Sequence, residues 1–326
     1  MADVQSYAPY RTTLLTKEQV RELCELRPGI AVRDTIIAWI GILAGFAAVA
    51  LVPTWWMVLI AIVLIGTRYY ALTIIGHDGL HRRLFRSRDA NDLWNDLLIL
   101  GPICAITHIN RTNHMDHHRE TCLPGDPDRH KYIHDDKEDN FSYVMFLSGL
   151  QSLWPAFRNI FLKRKAPVPG AESTRYTLRD MAIILGWQAA LIVGLTWAIG
   201  WWAYPVLWIL PIYVFAYRAD LVRVFCEHSM LMPDKRADET KRMITYTSHP
   251  LEKPFFAPHN MNYHTPHHLW PAIPYYNLPR ADALIREYLA KNGPDENLVW
   301  RRSYFGYILF YLFWTGRGAA LAASAR

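Results

Sequence analysis

Residues 36–76 read IIAWIGILAGFAAVALVPTWWMVLIAIVLIGTRYYALTIIG, and Arg68 is the only charged side chain among them. A helix needs about 20 mainly apolar residues to cross the hydrocarbon core of a bilayer. The stretch is long enough for two such helices, with the connection PTW between them. We therefore predict membrane spans over residues 36–52 and 55–76.

A second pair of apolar runs follows later in the chain. Residues 181–202 carry no charge, and residues 204–225 are apolar until Arg218, Asp220 and Arg223 near their end. Four paired runs edged by Trp and Tyr favour membrane helices over the buried helices of a soluble protein. The predicted fold is an all-α integral membrane protein with four transmembrane helices in two hairpins.

Positive charge sets the expected orientation. Neither connection within a pair contains Lys or Arg, whereas HRRLFRSR at 81–88, KRK at 163–165, Lys235 and Arg236 lie outside the pairs. Positive residues stay on the cytoplasmic side, so both hairpin tips should face outward. The same bias explains the net charge of +6 without nucleic acid. Because the first thirty residues are polar, no cleaved signal peptide is expected.

The sequence thus predicts a single membrane domain over residues 1–326, with both termini and a helical cap (77–180 and 226–326) in the cytoplasm. Residues 91–106 and 141–162 have the pattern of interfacial or packed cytoplasmic helices. Residues 123–140, between them, read as a charged loop. The aromatic stretch YFGYILFYLFW at 304–314 is expected to lie along the membrane.

Most of the fourteen histidines fall into three motifs, HDGLH at 77–81, HMDHH at 114–118 and HTPHH at 264–268. Spacings of three and four residues place imidazoles on one side of a helix, as ligands of a shared metal require. Pro266 is tolerated in a first helical turn. The predicted metal ligands are His77, His81, His114, His117, His118, His264, His267 and His268.

So many imidazoles exceed the needs of one ion, and two metal ions are the economical arrangement. Imidazole suits iron, zinc and copper alike. The four cysteines have no metal-type spacing, and no Glu is followed three positions later by His, so zinc–cysteine, iron–sulfur and carboxylate-rich di-iron sites are not expected. The ligand set is rich in histidine and poor in carboxylate.

The three motifs, with GDPD after the second and LWPAIPYYNLP after the third, resemble the membrane fatty-acid desaturase family over Ile36 to Leu289. The resemblance implies two non-haem iron ions on the cytoplasmic side and O2 as co-substrate. It also implies a ninth ligand after the fourth span, matched here by His228 in CEHSM. Asn260 matches a polar position beside the metals.

The activity implied by the resemblance is insertion of a double bond into a fatty acyl chain. Hydroxylation or ketolation of an acyl lipid or a carotenoid stays open, because those enzymes share the last motif's pattern and differ by small changes in geometry. A metal transporter or sensor would need ionisable residues along its spans, and the first and third have none. No electron-donor domain is fused, so a separate ferredoxin-like or b-type cytochrome and its reductase are implied.

Five further histidines are expected outside the metal site. His130 and His134 lie in the charged loop and should be solvated. His108, His249 and His259 are single, and capping or support of the ligands is the expected use of each.

Overall fold

The computed structural model describes residues 8–121, 125–128, 131–132, 145, 148–150, 175–228, 243–295 and 297–310. Its helices are α1 (Ala8–Thr13), α2 (Lys17–Leu23), α3 (Pro28–Leu51), α4 (Trp55–Leu80), α5 (Arg88–Asn95), α6 (Thr107–Glu120), α7 (Leu178–Ala198), α8 (Tyr204–His228), α9 (Lys253–Phe256), α10 (His264–Leu269) and α11 (Leu278–Asn292). The structure also describes two strands, β1 (Met243–Tyr246) and β2 (Leu298–Arg301).

Helices α3, α4, α7 and α8 are long and apolar enough to cross a membrane. Their ends differ from the apolar runs. Helix α3 starts at Pro28, a favoured first helical residue, and α4 continues to Leu80. Helix α7 starts at Leu178 behind the N-cap Thr177 and ends at Ala198. Hydropathy locates only the apolar part of a helix. Backbone hydrogen bonds continue the helix into the polar residues at its ends.

Helix α4 lies at the centre of the long helices. More than half of its most apolar window is buried, 56%, against 17% for α7. Glycines permit the close approach: a Cβ on Gly45 would come within 2.8 Å of Ile65, and one on Gly66 within 2.3 Å of Phe215. Helix α4 therefore packs against α3 on one side and α8 on another.

Two helical segments depart from regular α-helical winding. Helix α8 contains π-helical turns at Tyr204–Ile209 and Ile212–Tyr217 and becomes α-helical from Arg218. Helix α5 runs into a π turn at Asp96–Leu100 and a 3-10 turn at Gly101–Ile103. The predicted helix over 91–106 is thus present in part, interrupted before α6. Turns of this kind are frequent near functional sites.

Strands β1 and β2 form a short parallel ladder from Met243↔Leu298 to Tyr246↔Arg301. The mostly helical fold was predicted, but the strand pair was not. Its importance is local: Thr245 Oγ1 donates to Thr265 Oγ1 at 2.8 Å, and the Thr265 N–H donates to Thr245 Oγ1 at 3.1 Å. The ladder therefore fixes α10, which carries the third histidine motif.

Several predictions concern residues outside the described ranges. These are the solvated positions of His130 and His134, nearly all of the helix over 141–162, most of the charged loop, and the end of the aromatic stretch. Within the described part of that stretch, residues 304–310 are helical.

Candidate metal centre

The three histidine motifs lie where helices end or are short. His77 is in the last turn of α4 and His81 caps it. The second motif is on α6 and the third forms α10. His228 is the last residue of α8. Because α4 and α8 are neighbours, their ends bring the motifs together.

The imidazoles separate into two groups. The first, here called the five-histidine cluster, has its ligand nitrogens within 4.8 Å of one another. The second, the three-histidine cluster, meets the same limit. The five-histidine cluster contains His77, His81, His114, His118 and His267, and the three-histidine cluster contains His117, His228 and His268.

Neighbouring residues serve different clusters. His117 and His118 are adjacent on α6 and project about 100° apart around its axis. His118 therefore joins His114, four residues earlier, while His117 faces the other group. On α10, His267 and His268 divide in the same way. Two short helices thus hold the two clusters at a fixed separation.

His264 lies beside the three-histidine cluster. Its Nε2 is 2.8 Å from His228 Nε2, and its ring centroid is 4.2 Å from that of His268. All nine histidines predicted as ligands are therefore gathered at the two clusters. The resemblance that singled out His228 was needed, because no spacing pattern marks that residue.

Nitrogen separations test whether the clusters fit metal ions. Nε2–Nε2 distances are 2.8 Å for His81–His114 and 3.1 Å for His114–His118. His118 Nε2 is also 3.1 Å from His267 Nε2. A ring nitrogen carries at most one proton, so a nitrogen that faces two others cannot form hydrogen bonds that use all three atoms. Ligand nitrogens at about 2.1 Å from a shared ion would lie about 3.0–3.4 Å apart, so the arrangement fits metal binding.

The imidazoles are also held in the form that binds metal. Burial, together with the nearby positive charges of Arg83 and Arg111, lowers the pKa of His81 to about 3. Burial, reinforced by neighbouring imidazoles, holds the pKa values of the predicted ligands outside the long helices well below 6.5. This applies to His114, His118, His264, His267 and His268. Neutral rings keep a lone pair free for a cation.

Comparison with known proteins agrees with these clusters. The sequence model of the family described as "Fatty acid desaturase" matches residues 53–300, which include all nine histidines. The chain belongs to the fatty acid desaturase family. The prediction made from the histidine motifs is confirmed.

Three relatives of this desaturase cover most of its length. It is 26% identical over 269 residues to the sn-1 acyl-lipid omega-3 desaturase (ferredoxin) of Synechocystis sp., covering 77% of this chain and 74% of the relative. It is 25% identical over 285 residues to the sn-1 oleoyl-lipid 12-desaturase of Arthrospira platensis (80% and 79%). The dihydrorhizobitoxine desaturase of Bradyrhizobium elkanii is 24% identical over 307 residues (84% and 81%).

The desaturase is thus an oxidoreductase of the fatty acyl class, as predicted. Neither hydroxylation or ketolation nor metal transport is favoured by these relatives. Its histidine clusters can hold metal.

In this desaturase, carboxylates support the three-histidine cluster. His117 Nδ1 lies 2.9 and 3.0 Å from the two oxygens of Asp126, which also accepts from the Asp128 N–H at 2.7 Å. His264 Nδ1 is 3.1 Å from Glu227 Oε2, an ion-pair distance without hydrogen-bond geometry. Such partners fix which ring nitrogen faces a metal. Sequence reasoning assigned no function to Asp126 or Glu227, although GDPD and CEHSM contain them.

A buried arginine completes that support. Arg223 Nη1 donates to Glu227 Oε2 at 2.6 Å, and Tyr304 Oη donates to Glu227 Oε1 at 2.6 Å. Arg223 also pairs with Asp220 at 2.8 Å. Arg223 is 5% exposed and is bound to acids inside the protein.

The five-histidine cluster has no such partners among the described residues. His77 Nδ1 is 4.0 Å from Asp78 Oδ1, too far for a hydrogen bond. The Nδ1 atoms of His118 and His267 are buried and lack a hydrogen bond within the described ranges. The two clusters therefore differ in what lies behind their imidazoles.

Other polar residues singled out from the sequence lie outside both clusters. Asn260 Nδ2 donates to the Tyr275 carbonyl at 3.4 Å. His259 Nδ1 is 3.6 Å from Asp34, His108 Nε2 is 3.0 Å from Asp180, and His249 Nδ1 accepts from a backbone N–H. These contacts fit the expected supporting and capping uses.

Proposed function

We propose that the protein is an O2-dependent, di-iron desaturase that inserts a double bond into the acyl chain of a membrane lipid. The observation that carries the proposal is the pair of imidazole clusters shared by α6 and α10. The names of the Synechocystis and Arthrospira relatives, which specify acyl lipids, support the substrate class.

The proposed reaction balances with an external donor. The substrate loses two hydrogens from adjacent carbons, which supplies two electrons and two protons. A donor protein supplies two more electrons, and solvent supplies two more protons. O2 accepts all four electrons and leaves as two waters. A ferredoxin-like protein is the preferred donor, since one relative is named for ferredoxin, and a b-type cytochrome is the other candidate.

The chain's own residues hold and orient the metals. The five-histidine cluster would bind one iron, and the three-histidine cluster with His264 would bind the other. Asp126 and Glu227 hold the Nδ1 sides of His117 and His264, so the Nε2 atoms face inward. When bound, the iron pair supplies O2 activation and removal of hydrogen from an unactivated carbon. Asn260 enters the proposal only as a polar support of the segment before α10.

The proposed topology places this chemistry at the membrane surface. Two membrane hairpins, α3–α4 and α7–α8, would present both clusters, both termini and the cap to the cytoplasm. An acyl chain, already concentrated in the bilayer, would then reach the clusters without crossing water. The location of positive charge in the sequence supports this orientation.

Lipid analysis of a host that expresses the protein with a ferredoxin and its reductase tests the function. We expect a new double bond in membrane lipids, absent when the host carries the His117→Ala variant. A hydroxylated acyl chain in place of the alkene would instead make the enzyme a hydroxylase.

Cysteine labelling tests the topology. In a variant without other accessible cysteines, a cysteine at position 54 should react with an impermeant reagent from outside intact cells. A cysteine at exposed Asn292 should react only after lysis. The reverse pattern would contradict the orientation.

A further inference from the structure

Four arginines follow the first histidine motif directly. We call Arg82, Arg83, Arg86 and Arg88 the arginine strip; it runs from the end of α4 to the start of α5. Arg86 and Arg88 are exposed, and Arg82 and Arg83 are half-buried. Metal binding does not explain why so many positive charges lie beside imidazoles that must remain neutral.

The strip is attached to the five-histidine cluster. Arg83 Nε donates to the carbonyl of His81 at 3.1 Å. The cluster itself is the more accessible of the two, because four of its five histidines are half-buried, whereas all members of the three-histidine cluster are buried. A protein that binds the strip would therefore lie next to the accessible cluster.

The strip is held in one conformation by its apolar residues. Leu84 is 1% exposed, and its N–H donates to Asn91 Oδ1 at 3.0 Å. The Phe85 ring lies 5.4 Å from that of Trp94. A segment that binds a bilayer surface would direct such side chains toward the lipid. Here they face the protein, and the outward edge is charged.

Most of the strip's charge is unpaired. Asp92, whose charge also interacts with that of Arg82, accepts hydrogen bonds from both terminal guanidinium nitrogens of Arg111. Within the residues that the structure describes, Arg83, Arg86 and Arg88 form no ion pair with an acid. Clustered unpaired charge of one sign attracts a partner of the opposite sign and speeds its association.

We propose that the arginine strip is the docking site of an acidic one-electron donor of the ferredoxin class, and that its electrons enter through the five-histidine cluster. The inference rests on the proposed function, which requires two such electrons per double bond. Transfer falls steeply with distance, so the donor must dock beside an accessible cluster. Among the described residues, Arg83, Arg86 and Arg88 provide unpaired positive charge joined to one.

The test uses the full chain in nanodiscs and a plant-type [2Fe–2S] ferredoxin. The Arg86→Glu/Arg88→Glu variant reverses two exposed charges. The matched control is Lys291→Glu/Arg302→Glu, which makes the same charge change at exposed positions outside the strip. Ferredoxin binding is measured directly as a Kd, without turnover, and the KM values for ferredoxin and lipid are measured separately.

We expect the strip variant to raise the Kd and KM for ferredoxin about tenfold and to weaken their dependence on salt. The KM for lipid should stay within about twofold, and the control should change neither constant by more than about twofold. An unchanged Kd in an active strip variant would overturn docking and leave the desaturase function intact. Strip-dependent ferredoxin binding without alkene formation would overturn the function instead.

A membrane contact is the rival use of the strip. If the variant binds ferredoxin normally but loses activity only in nanodiscs that contain anionic phosphatidylglycerol, the arginines bind lipid headgroups and the docking proposal is wrong. Charge-reversed ferredoxin, with Lys in place of surface acids, sharpens the result. It should bind the strip variant better than it binds the wild type.

Discussion

The two histidine clusters share α6 and α10 but are supported differently. Asp126 and Glu227 support the three-histidine cluster. Tyr132 donates a hydrogen bond to Asp126, and Tyr304 and Arg223 donate to Glu227. Behind the five-histidine cluster, the buried Nδ1 atoms of His118 and His267 have neither a hydrogen bond nor a paired carboxylate in the described ranges. Carboxylate-bound imidazoles are more basic and fixed in orientation. We therefore expect the three-histidine site to bind metal more tightly and the five-histidine site to exchange ligands more readily.

The largest expected effect comes from removing one ligand of each cluster. His117→Ala and His267→Ala should both lower desaturation more than about 100-fold, because each opens a metal position to water. Iron content should fall to about one iron per chain in both variants, because each retains the metal of its intact cluster. A variant that keeps two irons and normal activity would remove that histidine from the proposed ligand set.

The carboxylate difference can be tested by itself. Asp126→Asn should lower metal affinity or activity about 10- to 100-fold, since the partner of His117 loses its charge. The matched control is Asp116→Asn, inside the HMDHH motif, because Asp116 pairs with exposed Arg119 at 2.8 Å and with no ligand. Iron retention during dialysis against a chelator is measured for both variants. Equal iron loss from the two variants would mean that the carboxylate does not distinguish the clusters.

The clusters share one property, neutral imidazoles, which predicts a pH dependence. The pKa of His81 is about 3 in the folded chain, and burial lowers the pKa values of the ligands on α6 and α10. Imidazoles of the unfolded chain titrate near 6.5. Below that pH the unfolded chain binds more protons than the folded chain, so stability present above about pH 7 declines as pH falls.

The loss should be about 1.4 kcal/mol per pH unit for each imidazole that stays neutral in the fold. Thermal unfolding of the chelator-treated protein between pH 8 and pH 5 measures this loss of stability. The iron-loaded protein should keep its stability to a lower pH. A midpoint that does not change over that range would show that the imidazoles are not buried as neutral rings.

The smallest effect is expected for histidines outside both clusters. His249→Ala removes an exposed ring that accepts one backbone N–H, and activity should change less than about twofold. His130→Ala and His134→Ala should behave alike, because their sequence context is a charged loop. Activity assays on lipid extracts measure all three. Loss of iron from either loop variant would add a ligand that neither cluster contains.

The sequence predicted the parts of this site that depend on local periodicity. Spacings of three and four residues on α6 and α10 identified the histidines that the fold gathers into clusters, and apolar runs located the four long helices. The same patterns did not reveal that His117 and His118 serve different clusters, because that division depends on where α4 and α8 end. Asp126 and Glu227 were missed for a related reason: a carboxylate acquires its partner through tertiary packing.

Local signals also failed where the backbone departs from regular geometry. The first π turn in α8 contains Pro205 and the second follows Pro211, yet a proline in an apolar run does not specify how the helix widens. The β1–β2 ladder joins segments more than fifty residues apart, and each strand has only four residues. Strands this short carry too little alternation to be recognised.

The division of α10 between the clusters has a consequence for biogenesis. His267 and His268 each complete a different site, and His228 at the end of the last long helix belongs to one of them. During synthesis, residues 77–118 emerge long before these three histidines are made. Neither site can be complete until α8 is inserted and α10 has folded onto β1. Metal loading is therefore expected to be a late, post-insertional step of maturation, and chains truncated before residue 264 should emerge from the ribosome without a finished site.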